Sequence, residues 1–452
     1  MTIEIIPVGG YSEIGRNCTA VKIDDEIVIL DMGLHMEKYI EHTHTADRDD
    51  IVDMSTKTLM NVGAVPDIRT LTKEERKNVI AICIGHAHLD HIGAVPFLAK
   101  KFDCPVYATP FSIEVVKSTI RDDRINIKNE LIKKEENSIF RISDNIEIEF
   151  INVTHSTPET VMIAIHTKEG VVLYGNDYKI DKTPTYGAKT NIKRLKELKP
   201  KAYIVDCLYS DNPDWTPSEL VAKQKLKEIL LDQDNKGKSI FVTTFSSHIA
   251  RLKSIKEIGE KMGRKVVFLG RSLSKYLMAS ENAGLAKFND SMVVKYGAKV
   301  RRYLSSIPNP EKHLFILTGH QGEPKATLSR IVYENHFNFK PEDIVIFSCQ
   351  IIPVPINFEN RKVLEDALKR KHVTVHTDVH VSGHASAEDQ REIFRIINPE
   401  NIIPVHGDLP KMQAMKEIAI QEGYKEEQVH FLKNEQRLRF WKIIFINLRS
   451  FV

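Results

Sequence analysis

Apolar and polar positions alternate in three regimes along the chain. Up to about residue 31, short β-branched runs are broken by Gly9-Gly10, Gly15 and Asp24-Asp25, an arrangement that predicts hairpins. From 32 to about 78 the alternation fades into a stretch rich in His and Asp, read as an inserted loop placed to cover a site. Residues 80–84 form a continuous apolar run, typical of a strand buried on both faces. This run enters Gly85-His86-Ala87-His88-Leu89-Asp90-His91 directly, and a helical pattern follows to Lys101. Further strands are predicted over 146–153, 161–166 and 171–174. From about 202 the rhythm becomes strand then helix. Strands fall at 203–205, 240–244, 266–269, 314–317 and 344–347, with helices at 217–231 and 247–262. That succession marks a parallel, doubly wound sheet. His-bearing loops return after about 376, and a strand at 402–405 ends in His406-Gly407-Asp408. The apolar stretch 441–451 carries Lys442 and Arg449 and reads as a buried strand.

The organisation is therefore a His- and Asp-rich part over 1–207, an inserted α/β part over 208–375 and a return over 376–452. Its 452 residues are within the range of a two-domain enzyme, and 42% hydrophobic and 28% charged residues exclude a disordered or fibrous chain. A net charge of +3 excludes a globally basic nucleic-acid coat but leaves room for a local basic channel. Five scattered cysteines without a CxxC pair point to a reduced, cytoplasmic protein. No signal peptide and no membrane span is read, so no membrane partner is expected.

The strongest chemical signal is His86-Ala87-His88-Leu89-Asp90-His91. In an extended segment alternate side chains face the same way, so His86 and His88 can converge on one cation. Asp90 and His91, at the turn into a helix, can face a second. Imidazole and carboxylate are ligands that zinc or manganese takes without sulfur. One segment cannot fill two coordination shells. The chain offers further donors just after apolar strands, where a sheet presents its loop edge: His155, His406, and Asp177, whose carboxylate can bridge two ions. A lone His in such a place is more often surface or hydrogen-bonded. The compact HxHxDH raises the standing of the distant donors, because a bound ion needs a third protein ligand.

HxHxDH followed by His155, Asp177 and His406 resembles the metallo-β-lactamase superfamily of binuclear hydrolases. The α/β segment bracketed by Asp206 and Ser382-Gly383-His384-Ala385-Ser386 looks like the β-CASP insertion of its nucleic-acid-processing members. Asp206 matches motif A of that group, His384 motif B and His406 motif C. The stretches Gly9 to Asn17, Gly270-Arg271-Ser272 and Thr318-Gly319-His320-Gln321-Gly322-Glu323-Pro324 are similar to those of ribonuclease J proteins, in the archaeal form that lacks the extra C-terminal domain of bacterial ones. The resemblance implies an α/β fold, a metallo-β-lactamase αββα sandwich with an inserted β-CASP α/β domain. It also implies two zinc ions, with manganese or magnesium as alternatives for activity. Asp31 matches motif 1, a residue that orients a ligand or its loop. Two departures stand out. Asp206-Cys207-Leu208-Tyr209-Ser210-Asp211-Asn212 differs from the Asp-Ser-Thr-Asn run usual there, so only Asp206 carries over. His320 replaces a small hydroxyl residue of bacterial relatives.

On this reading the expected activity is hydrolysis of single-stranded RNA by a metal-activated hydroxide, mainly as a 5′-to-3′ exoribonuclease of RNA degradation. His86, His88 and His155 are assigned to one ion, Asp90, His91 and His406 to the other, and Asp177 to both. The catalytic set is Asp177, His384 and Asp206, with His384 serving the leaving oxygen and Asp206 orienting it. Phosphate-binding candidates are Ser246 and Ser247, at a strand-to-helix junction, and Ser382, Gly383 and Ser386. Helix capping is an equal reading for Ser246 and Ser247. Basic clusters at Lys299-Val300-Arg301-Arg302 and Lys369-Arg370-Lys371 suit either a phosphate backbone or a solvated helix face. Three rivals remain: an endoribonuclease using the same site, a non-catalytic RNA-binding β-CASP subunit, and a small-molecule lactonase or thioesterase. A homodimer, a 5′-phosphate preference and partners in RNA decay stay open.

Overall fold

A computed structural model describes residues 2–43, 55–122, 125–352 and 355–440. The strand expected at 441–451 lies outside the described residues, as does part of the 32–78 stretch.

Three sheets organise the chain. The first runs Leu438–Phe440, Ile3–Gly9, Cys18–Ile23, Glu26–Leu30, Val79–Cys83, Val106–Ala108 and Leu131–Lys133. It is antiparallel up to Glu26–Leu30 and parallel beyond. The second runs Ile402–Val405, Ala202–Asp206, Gly170–Tyr174, Val161–Thr167, Glu147–Asn152 and Ile139–Arg141. Period-two alternation sends successive side chains to opposite faces. Ile3, Ile5, Val28 and Leu30 of the first sheet thus meet Phe150, Ile163, Ile204 and Ile403 of the second in one core. The opposite faces carry helices. Ile6, Val8 and Ile82 pack with Leu98 and Phe111, and Ile151, Leu173 and Val205 pack with Leu195, Phe394 and Met415. The order is helix, sheet, sheet, helix, each fully buried aliphatic side chain contributing about 1.5–3 kcal/mol.

The third sheet is wholly parallel, in the order Met292–Val294, Lys265–Leu269, His313–Leu317, Ile240–Thr243, Ile344–Phe347 and Thr374–His376. Ile240, Val242 and Phe268 face the core that also holds the outer side of the first sheet, whereas Phe241, Val267 and Phe315 face a separate core. The inserted part is thereby fused to the sandwich. Its helix Arg271–Asn282 lies on Pro110–Asp122, and the Tyr276 hydroxyl donates to the Ala87 carbonyl at 3.4 Å. With all strands parallel, the loops at 244–247, 270–272, 318–321 and 348–350 share one sheet edge.

Two local expectations need correction. The 32–78 stretch is not simply a loop. Among its described residues it forms helices Met36–Thr43, Thr56–Asn61 and Lys73–Lys77, the last started by a Thr72–Glu75 capping box. The pattern from 89 to 101 is not one helix but three short turns, Leu89–Ile92, Val95–Leu98 and Ala99–Lys101. Gly93 and Pro96 interrupt it, and the chain at Met32–Leu34 binds the first turn from the side: the N–H groups of Met32 and Leu34 donate to His91 and Leu89 carbonyls at 2.7 and 2.9 Å. No helix among the described residues is long and apolar enough to cross a membrane.

Candidate metal centre

Strand ends of both sandwich sheets bring the distant histidines and carboxylates together. Val79–Cys83 delivers 86–91, Glu147–Asn152 delivers His155, Gly170–Tyr174 delivers Asp177, Ala202–Asp206 ends in Asp206, and Ile402–Val405 delivers His406. Donor atoms of His86, His88, His155 and Asp177 all lie within 4.8 Å of one another, as do those of Asp90, His91, Asp177 and His406. Asp177 belongs to both groups and divides its oxygens between them, and it also forms a third such group with Asp206, His384 and His406. Oδ2 faces His86 Nε2 at 3.4 Å and His155 Nε2 at 3.7 Å. Oδ1 faces His91 Nε2 at 3.2 Å and His406 Nε2 at 3.9 Å. Asp90 Oδ2 closes the second group, 3.7 Å from His91 and 3.6 Å from His406.

These spacings fit a cation. Ligands at about 2.0–2.1 Å in a tetrahedral zinc shell stand roughly 3.3–3.4 Å apart. His88 Nδ1 stands 3.1 Å from both His86 Nε2 and His155 Nε2, so three imidazoles present nitrogens to one another. Asp177 Oδ1 is buried and accepts no hydrogen bond, the state of an oxygen reserved for a ligand. Burial, with His91 next to it, lowers the His86 pKa. Burial also takes His88 down to about 3 and His155 well below its ordinary value, keeping all three in the neutral form a metal requires. Burial opposes charge on His91 too, yet Asp177, Asp90 and Asp31 outweigh it and raise its pKa. Asp177 is held well below the carboxylate range despite its burial, by His91, His384 and His406.

A surrounding layer of contacts fixes the donors. Asp31, fully buried, accepts from His91 Nδ1 at 2.6 Å, the Gly85 N–H at 2.7 Å and the Tyr174 hydroxyl at 2.8 Å. It orients a candidate ligand without belonging to either donor group, the arrangement that sets an imidazole's tautomer. His155 Nδ1 is held by the Gly383 carbonyl at 2.7 Å. A Cβ at Gly383 would stand 2.9 Å from the His155 ring, so a larger residue there would have to push that ring aside. Asn17 Nδ2 sits 3.0 Å from His91 Nε2 and 3.1 Å from His406 Nδ1. Sequence reasoning assigned Asn17, Tyr174 and Tyr209 no role. Asn17 alone carried a signal, as the last residue of the Gly9 stretch.

His384 stands beside this cluster. Its Nδ1 is 2.8 Å from Asp206 Oδ2 and its Nε2 is 3.9 Å from Asp177 Oδ2. Burial opposes its charge, but Asp177 and Asp206 raise its pKa to about 9. Ser382 Oγ accepts the His384 N–H at 3.0 Å, and Ser382 and Gly383 line a cavity of about 250 Å³ that also touches His155, Lys179 and His248. Ser246 and Ser247 lie apart from it on the inserted sheet's edge, where Ser246 Oγ meets Ser272 Oγ at 2.5 Å and Ser247 is buried. Ser386 is placed differently from its expected role. It is 1% exposed, its hydroxyl accepts from Asn212 and Thr216 at 3.0 and 2.9 Å, and it caps the helix Ala387–Ile397. Lys299, Arg301 and Arg302 are exposed on the helix Gly297–Ser306.

Three family models match the chain. The metallo-β-lactamase superfamily covers residues 12–177, the ribonuclease J β-CASP domain covers 237–364, and a Zn-dependent metallo-hydrolase RNA specificity domain covers 368–430. A ribonuclease J of Methanocaldococcus jannaschii is 41% identical, over 98% of this chain and 100% of that protein. One of Pyrococcus abyssi is 40% identical, over 93% of each. A crystal structure of a protein of unknown function from Enterococcus faecalis superposes with a TM-score of 0.66 at 16% identity, over 97% of this chain and 100% of that one, a likeness of fold.

Proposed function

The chain belongs to the ribonuclease J family of metal-dependent ribonucleases, and from that premise we propose that it shortens single-stranded RNA from the 5′ end. The observation that carries the reading is the division of Asp177 between two donor groups, with His384 beside them. His86, His88, His155 and Asp177 suit one zinc ion, and Asp90, His91, His406 and Asp177 a second, with manganese or magnesium as active alternatives. Bound there, the ions supply hydroxide near neutral pH and neutralise charge on the phosphate oxygens. Asp31 and the Gly383 carbonyl hold His91 and His155 in the orientations that binding needs. Asp206 anchors His384 Nδ1, which leaves Nε2 to hydrogen-bond or protonate the leaving oxygen, a contribution of about 10²–10⁴-fold. Ser246, Ser247, Ser382 and Gly383 are the groups proposed to grip phosphates, and a grip at fixed distance from the reacting phosphate measures off a 5′ end. The division into 1–207, 208–375 and 376–452 accords with this assignment of roles. Five free cysteines, all buried, support a reducing, cytoplasmic setting.

The test is cleavage of a labelled 5′-monophosphorylated RNA by the wild type, Asp90→Ala and His384→Ala, with zinc or manganese added. Mononucleotides from the wild type are expected, with activity lost in both variants and metal content lowered mainly in Asp90→Ala. Chelation is expected to abolish cleavage. Internal fragments without mononucleotides would refute the directional reading and favour an endonuclease.

A further inference from the structure

Asp206 pins His384 by one atom only, and an imidazole held at Nδ1 can still swing its Nε2. Three rings limit that motion, His155 meeting His384 edge-on at 5.2 Å between centroids. The Tyr209 ring stacks on His384 at 5.5 Å between centroids and 25° between planes, and His406 lies near-parallel at 5.9 Å and 28°. His155 and His406 are committed to the donor cluster, whereas Tyr209 belongs to none of its donor groups and its hydroxyl also meets Ser382. Its backbone forms a parallel bridge with Ser386, and its hydroxyl donates to Gln350 Oε1 of the inserted part at 3.3 Å. Gln350 is tied in turn to Gln321, whose Nε2 donates to its carbonyl at 3.0 Å. Tyr209 therefore lies over His384 and is anchored to backbone on one side and to the inserted sheet's loop edge on the other.

We propose that Tyr209 is a positioning residue for the leaving-group step: its ring holds the His384 imidazole so that Nε2 meets the leaving oxygen. The inference rests on the proposed role of His384. In that step the P–O bond to the leaving oxygen breaks as hydroxide bonds to phosphorus, and the leaving oxygen takes its proton from His384 Nε2. A sulfur in place of that oxygen departs as a thiolate and needs no proton.

The experiment measures single-turnover rate and KM for Tyr209→Leu, Tyr209→Phe and His384→Ala, on an RNA with the natural leaving oxygen and on one with sulfur in its place, with bound metal quantified for each variant. Tyr209→Leu is expected to lose about 10- to 100-fold in rate on the oxygen substrate, the scale of a misplacement of about 1 Å, with KM and metal content within about twofold of wild type. Tyr209→Phe keeps the ring and is expected to stay within about threefold. Both Tyr209→Leu and His384→Ala are expected to recover on the sulfur substrate. Recovery of His384→Ala without Tyr209→Leu overturns the proposal for Tyr209. Failure of His384→Ala to recover overturns the role of His384 itself. A rise in KM with an unchanged rate in Tyr209→Leu also overturns the proposal, and makes Tyr209 a base-stacking contact instead.

Discussion

Gly33→Ala tests how the metal-loop geometry is built. A Cβ at residue 33 would stand 1.6 Å from the Asp90 carbonyl oxygen, 2.1 Å from its carbon and 2.8 Å from the His91 nitrogen. These are backbone atoms, and no flexible side chain can yield. Moving from 1.6 Å to the 3.4 Å of ordinary contact needs an opening of about 1.8 Å. The segment that must open is held closed by hydrogen bonds from Met32 to His91, from Leu34 to Leu89 and from Asn17 to Asp90, at 2.7–2.9 Å. Overpacking of this kind costs about 1–3 kcal/mol in stability. The catalytic cost is larger, because Asp90 and His91 ride on the displaced backbone and a misplacement of about 1 Å can cost about 10²-fold. The expected result is a lower melting temperature and RNA cleavage reduced at least about 100-fold. Metal analysis of the purified variant should show loss confined to the Asp90–His91–His406 group, so that about half the wild-type metal remains. A folded Gly33→Ala protein with wild-type metal content and rate would refute the claim that this close approach sets the site.

Asp31→Asn removes the carboxylate that holds His91 Nδ1, and a metal titration should show affinity weakened about 10- to 100-fold with the fold intact by circular dichroism. The Arg437 hydrogen bond outweighs burial at Glu75 and takes its carboxyl from 4.5 to about 2. A carboxylate so lowered stabilises the fold above its unfolded pKa and loses that contribution as pH falls through the folded one. Glu75→Gln should therefore melt below wild type at neutral pH, with the gap closing between about pH 4.5 and 2; a gap that persists unchanged at pH 2 contradicts the ion pair's role. Replacing Lys299, Arg301 and Arg302 by Ala should flatten the salt dependence of RNA binding by about 0.7 in log–log slope for each phosphate no longer neutralised. An unchanged slope leaves those cations as a solvated helix face.

That His86, His88, Asp90, His91, His155, Asp177 and His406 converge was legible in the sequence because each follows a strand that its apolar run marks clearly, and HxHxDH is compact. The inserted sheet was legible for the same reason, its runs in 240–244, 314–317 and 344–347 being apolar on both faces. What stayed hidden depends on contacts across long separations. The strands Val106–Ala108, Met292–Val294 and Thr374–His376 have three residues each, too few for a period. Tyr174 and Tyr209 bear on the site through a hydroxyl to Asp31 and a ring on His384, and neither relation leaves a mark in local sequence. Ser386 misled because a hydroxyl beside His384 suits a phosphate or a helix cap equally, and only its burial separates the two. The break at Gly93 was in plain view, but an apolar helical pattern ran across it.

The pairing of Ala202–Asp206 with Ile402–Val405 bears on how the polypeptide is made. Asp206 and His384 are 178 positions apart, and the whole third sheet is synthesised between them. Until the late strand emerges from the ribosome, five apolar or acidic residues wholly shielded in the finished protein lie along an open edge. Contacts this distant in sequence slow folding. The newborn protein thus passes through a long interval in which this border is uncovered and the group of Asp90, His91 and Asp177 still lacks His406.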